Sequence, residues 1–226
     1  MTELEPAAEA TLRERKKART RLEISDVATR LFAQHGFEEV TLSQIAAAAE
    51  VSTKTIFNYF GSKEELYFDR ADELRDAIVS TLVDRDPGVT TLAALHTLLR
   101  ENLVPFPGTG WNGMNDADAR ARFRSFMGTQ DRSPALRARR LVIGQELGGA
   151  LAETLAGELG LRRGDPDLLA LAAMLVAAFE ARDGVLRAGV GDDLSPRALR
   201  RKVVAVVDAL FLRLTAAFGD LDRPRA

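Results

Sequence analysis

The stretch from Val40 to Leu66, VTLSQIAAAAEVSTKTIFNYFGSKEEL, constrains this chain more than any other, because three helix starts follow one another within it. At Thr41 the hydroxyl is placed to accept from the backbone of Gln44 while the Gln44 side chain reaches back, a capping box flanked by Val40 and Ile45 as a hydrophobic staple. Ser52 opens the second helix just after the alanine run Ala46 to Ala49, with Val51 and Ile56 repeating the staple. Glu50 and Val51 are left as a tight turn. Ser62 opens the third in the sequence Ser62-Lys63-Glu64-Glu65, another capping box that also sets carboxylates at the positive end of the helix dipole. Gly61 breaks the chain just before it.

The helix between Ser52 and Gly61 is too short to be stable alone, so packing on its neighbours must hold it. Ile56 and Phe60, four residues apart, supply the inward side. The other side carries Thr53, Lys54, Thr55, Phe57, Asn58 and Tyr59. These side chains suit a DNA major groove, where Asn pairs with adenine, Lys with guanine, and an apolar edge meets the thymine methyl. The residues by themselves also allow a plain solvated face.

Leu22 to Leu66 resembles the N-terminal domain of the TetR family of transcriptional regulators. The family's usual pattern runs T-x-x-x-I-A-x-x-A-G-V-S-x-G-T-x-Y-x-Y-F-x-S-K-E-x-L. Thr41, Ile45, Ala46, Ala49, Val51, Ser52, Thr55, Tyr59, Phe60, Ser62, Lys63, Glu64 and Leu66 fit it. Glu50 and Lys54 stand where the pattern has glycine, and Phe57 replaces its first tyrosine. The resemblance implies a three-helix DNA-binding domain, with DNA contacts at Thr41, Ser43, Ser52, Thr53, Lys54, Thr55, Phe57, Asn58, Tyr59 and Lys63. Lys54 and Phe57 fall on the outer face, so these departures bear on which operator is preferred and not on DNA binding itself.

The rest of the chain reads as helix, and the fold class expected is all-α with about nine helices. Ile24, Val27, Ala28, Leu31 and Phe32 recur at three and four, giving an amphipathic helix from about Arg19 that Gly36 ends. From Glu64 to about Leu82 runs a connecting helix, and Asp86-Pro87-Gly88 closes it. A helix over Thr91 to Leu103 follows, with His96 as a structural residue. Another spans Asp116 to Met127, ended by Gly128. Ser133-Pro134, Asp165-Pro166 and Ser195-Pro196 each combine an N-cap with proline at the first helical position and open the last three helices. The organisation expected is a flexible N-terminal arm over residues 1–17, a helix-turn-helix domain over 18–78 and a second helical domain over 79–226.

Charge and composition remove other classes. With no cysteine among 226 residues there is no disulfide framework and no thiolate chemistry. MTELEPAAEA is acidic and lacks the apolar core of a signal peptide. The longest apolar run, Leu168 to Phe179, is about 12 residues and too short to span a bilayer. A cytoplasmic location without membrane contact is expected. Net charge is −2, yet Arg13, Arg15, Lys16, Lys17, Arg19 and Arg21 lie close together with Glu14 the single acid among them. This basic run is either a solvated arm or one that supplies phosphate contacts or reaches into a minor groove. The loop PFPGTGWNGMN contains a literal GxGxxG at Gly108, Gly110 and Gly113, but the dinucleotide fingerprint needs a strand before it and a βαβ unit around it. It is read as a loop. No nucleophile–base pair, H-E-x-x-H or G-x-S-x-G is present, so no enzyme, metal site or cofactor is expected.

For the second domain the residues leave alternatives that the resemblance orders. The helix after Pro166 is apolar all round, and the last helix carries a wide apolar stripe. They could bury each other inside one subunit. The resemblance implies instead a homodimer through a four-helix bundle, which sets Leu175, Phe179, Val203, Val207, Leu210, Phe211 and Leu214 at the interface. Two reading helices would then match a palindromic operator in double-stranded DNA, with half-sites about 34 to 36 Å apart. The resemblance also implies a pocket for a small-molecule effector whose binding re-spaces the reading helices. The residues assigned to it are Phe106, Trp111, Met114, Phe123, Phe126, Met127, Phe179 and Arg187. Glu180, Asp183 and Arg187 are either its polar anchors or a solvated salt-bridge face. The function expected is a repressor released from DNA by an effector. An activator, or a regulator controlled by a protein partner, is the alternative.

Overall fold

The computed structural model describes residues 12–69, 71–101 and 116–222, with side chains left out at 71–74, 119 and 122. The chain divides into two units, Met1–Asp69 and Arg70–Ala226. Among the described residues there are ten α-helices and no strand. None of these helices is long and apolar enough to cross a membrane.

The first unit holds α1 (Leu12–His35), α2 (Leu42–Ala48), α3 (Thr53–Phe57) and α4 (Lys63–Tyr67). Helix α1 starts at Leu12, so Arg13, Arg15, Lys16 and Lys17, expected in a flexible arm, lie on exposed helical turns continuous with the packed part. Ile24, Ala28 and Phe32 form its buried seam. It ends as the sequence requires, with Gly36 at φ 84° and its N–H returned to Phe32 O at 2.9 Å. The single connecting helix expected from Glu64 is broken after α4. Tyr67 turns into a ring cluster with Phe32 and Phe37, at 5.7 Å from each, and the buried Asp69 pairs with Arg21. Both contacts hold the chain in the first unit where a straight helix would carry it away, and that break accounts for a tenth helix.

The second unit contains α5 (Ala71–Val83), α6 (Thr91–Glu101), α7 (Ala117–Arg132), α8 (Pro134–Leu159), α9 (Pro166–Gly191) and α10 (Pro196–Phe218). Helix α5, expected to lead from the first domain into the second, lies wholly in the second unit. Helix α7 passes through Gly128 to Arg132, because Thr129 and Gln130 are buried and hold that turn against the bundle. Ser133 then both ends α7 and caps α8, its Oγ accepting from Leu136 N–H at 3.2 Å. Proline follows the N-cap of α8, α9 and α10 alike. Gly189 of α9 lies so close to α10 that a Cβ there would stand 2.5 Å from Leu199 Cδ1.

The core of this unit takes up the residues expected at the dimer face. Leu175, Phe179, Val203, Val207, Phe211 and Leu214 are buried within one subunit, and Leu210 is half-buried against the same core. Helices α6 and α8 pack on α10 and α9, so the widest apolar stripes are consumed inside the monomer. A residue with no exposed surface cannot present itself to a second copy. The apolar residues that α9 leaves exposed include Leu169, Ala170, Ala173, Met174, Ala177 and Ala181. On α10 they include Ala205, Ala209, Leu212 and Ala216.

Candidate nucleic-acid interface

The reading element is built by local hydrogen bonds that the sequence spells out. Thr41 Oγ1 accepts from Gln44 N–H at 3.2 Å, and Gln44 Oε1 accepts from Thr41 N–H at 2.8 Å, which closes the capping box of α2. The turn then reverses through Glu50, whose φ of 54° lies in the left-handed region, and Val51 N–H returns to Ala46 O at 2.9 Å. Ser52 Oγ accepts from Thr55 N–H at 2.9 Å and shares a 2.8 Å hydrogen bond with Thr55 Oγ1, starting α3. Of the two positions where the family pattern has glycine, only Glu50 has positive φ. Lys54 is ordinary helix and simply adds a charge to the outer face.

Packing decides which side of α3 is free. Ile56 is completely buried and Phe60 nearly so. Lys54, Phe57 and Asn58 are exposed, and Thr53, Thr55 and Tyr59 are half-buried beside them. Phe57 keeps 55% of its surface in water, a large apolar exposure for a helix whose inner face is full. Thr41, Ser43 and Ser52 are exposed at or near the starts of α2 and α3. The arrangement offers an amide, an ammonium, hydroxyls and an aromatic edge on one short helix, a set able to read base edges.

Two cations expected to face outward are used to build the unit. Lys63 Nζ donates to Phe37 O at 2.9 Å and Val40 O at 3.1 Å, and sits 4.2 Å over the Phe37 ring. It therefore ties the start of α4 to the loop between α1 and α2, so the residue expected to contact DNA acts in this structure as a clamp. The reason is that the loop exposes several carbonyls with no helical partner, and an ammonium with three donors satisfies more than one. Arg21 was read only as part of a basic run. Its Nη1 donates to Tyr59 O at 2.7 Å, its Nη2 pairs with Asp69 Oδ1 at 2.6 Å, and its guanidinium lies 4.5 Å over Phe60. One side chain of α1 thus fixes the far end of α3. The sequence signal for it was weak, one more arginine in a row of them.

Phe106, Trp111 and Met114 of the expected effector pocket lie outside the described residues. Phe123, Met127 and Phe179 are buried in the core of the second unit and Phe126 packs on it half-buried. Arg187 donates to the buried Gln130 Oε1 at 3.3 Å, while Asp183 is taken by Arg182 at 2.8 Å. His96, the residue read as structural, bonds Asp208 at 2.7 Å and stacks on Phe211.

Comparison with known proteins agrees with this geometry. Residues 24–69 match the family model for bacterial regulatory proteins of the tetR family. The chain is 31% identical over 218 residues to the HTH-type transcriptional regulator TcmR of Streptomyces glaucescens, covering 95% of this chain and 92% of that one. Among solved structures it is similar to a SmeT–triclosan complex, with a TM-score of 0.54 and 21% identity over 86% of this chain and 91% of that one. It is also similar to GusR of Salmonella enterica, with a TM-score of 0.51 and 20% identity over 89% and 96%. These two likenesses show a shared fold.

Proposed function

The chain belongs to the TetR family of bacterial regulatory proteins and is a DNA-binding regulator of transcription; from that premise we propose that it is a homodimeric repressor that leaves a palindromic operator when a small molecule occupies its second unit. The observation that carries the DNA-reading part is α3, with its inner face fully buried and Lys54, Phe57 and Asn58 held outward. Asn58 is assigned to a base edge, and Arg13, Lys16 and Lys17 on the first turns of α1 to phosphates. A single reading helix makes too few base contacts to select an operator from a genome, so two copies must be coupled. The exposed apolar residues on α9 and α10, with Leu212 the largest on α10, are assigned to that coupling in place of the buried residues. The solved complex of SmeT with triclosan supports a ligand in a protein of this fold.

The test is a gel-shift titration with a palindromic fragment taken from beside the gene. Asn58→Ala should cost about 1 to 3 kcal/mol on that fragment and nothing on random DNA of equal length. Equal losses on both would remove Asn58 from base reading.

A further inference from the structure

Four arginines among the described residues carry guanidinium nitrogens that are shut off from solvent and lack a hydrogen-bond partner: Arg85, Arg120, Arg139 and Arg140. In three of them another nitrogen of the same group is bonded. Arg85 donates to Leu82 O and Glu158, Arg120 to Asp193 at 3.4 Å, and Arg139 to Glu146 at 3.1 Å. Arg140 is different. Its Nε and Nη1 are both buried without an acceptor, and the carboxylate oxygen paired with it, Glu180 Oε2, stands 3.9 Å from Nη1, beyond hydrogen-bond reach. Folded proteins almost always partner buried donors, so an arginine with two left open needs an explanation.

The same oxygen of Glu180 lies 4.0 Å from Arg187 Nη2. One carboxylate, on a side chain 46% exposed, therefore stands between guanidiniums from α8 and α9 without a hydrogen bond to either. Arg187 is held in turn by Gln130 of α7 at 3.3 Å. Met127, one turn before Gln130 on α7, and Phe179, adjacent to Glu180, are both buried. Three helices thus bring two forks of N–H donors together, with a loosely held internal carboxylate between them. The trio carries one net positive charge while Glu180 is in place and two once it swings out to water.

We infer that Arg140 and Arg187 form an anion subsite, and that the effector is an organic acid whose carboxylate takes the position Glu180 now occupies. A planar guanidinium presents paired donors at the spacing of a carboxylate's oxygens, which a neutral hydroxyl cannot match. Glu180 acts as the resident competitor, keeping the cations partly screened until an acid displaces it. This inference rests on the effector reading above and adds the ligand's chemical class.

The experiment is titration calorimetry of the full chain with sodium octanoate and with octan-1-ol, which share an apolar body and differ in head group, alongside gel shifts on the operator fragment. Octanoate should bind at least tenfold more tightly than octanol. Arg140→Gln should bring the two affinities within a factor of two or three while leaving octanol binding and the melting temperature unchanged, since Arg140 makes no hydrogen bond to lose. Glu180→Gln should tighten octanoate severalfold and leave octanol unchanged. Equal affinity for the two probes, absence of binding by both, or an octanoate preference that survives Arg140→Gln would overturn the inference. Octanol releasing the operator with no octanoate preference would overturn the acid subsite and keep the effector reading. Octanoate binding that depends on Arg140 but leaves operator affinity unchanged would keep the subsite and remove the effector reading.

Discussion

Glu50 turns the helix-turn-helix at a φ of 54°, a conformation in which an L side chain crowds its own backbone at a cost of about 1 to 2 kcal/mol. Glycine adopts it freely but loses more entropy on folding, about 0.5 to 1 kcal/mol. Glu50→Gly should therefore raise stability by about 0.5 to 1 kcal/mol, read as a higher urea midpoint at unchanged slope. Lys63 shows the opposite situation, an exposed-looking charge that the fold uses. Lys63→Ala removes two charge-assisted hydrogen bonds to the loop after α1 and a cation–π contact, and should destabilise the chain by about 1 to 3 kcal/mol. The salt dependence of DNA binding should stay the same, because no phosphate contact is lost. A slope reduced by about 1 at unaltered stability would return Lys63 to the interface.

At the scale of elements, the starts of α2, α3, α8, α9 and α10 were legible because each depends on residues within four positions of one another. Helix α6 shows what such reading misses. Its first two N–H groups, of Thr91 and Leu92, donate to the carboxylate of Asp222 at 2.7 and 2.9 Å, across some 130 residues of chain. Asp222 is buried in this role. Asp222→Ala leaves two buried donors unpaired and should cost about 1 to 2 kcal/mol or more by chemical denaturation, with amide exchange accelerated at the first turn of α6. Asp222→Asn, which keeps one acceptor, should recover part of it. An alanine variant as stable as the parent would show that water replaces the cap.

For the molecule as a whole, burial separates folding from assembly. Val207 has no exposed surface, so Val207→Glu sets a carboxylate in an apolar core with no partner and should prevent folding. Leu212 is 73% exposed on the same helix. Leu212→Glu should leave the fold intact and, by sedimentation equilibrium, convert a dimer to a monomer with operator affinity reduced at least tenfold. A Leu212→Glu protein that stays dimeric with full affinity would move the interface off that face of α10.

The sequence by itself determined the all-helical class, the helix-turn-helix and the ends of most helices, because caps, prolines and apolar periodicity act within one or two turns and need no distant partner. It also determined which side of α3 faces inward, since Ile56 and Phe60 could only be satisfied by burial. What only the tertiary structure decided was which of several equivalent groups met which. The apolar stripes of α9 and α10 suited a partner subunit and a subunit core equally well, and the choice fell to the packing of α6 and α8 against them. Likewise nothing local distinguishes Arg21 or Lys63, taken inward by a backbone carbonyl, from Arg140, left with open donors beside Glu180. A charge's role depends on the acceptors that the fold brings within about 3 Å of it, and those come from residues far away in the chain.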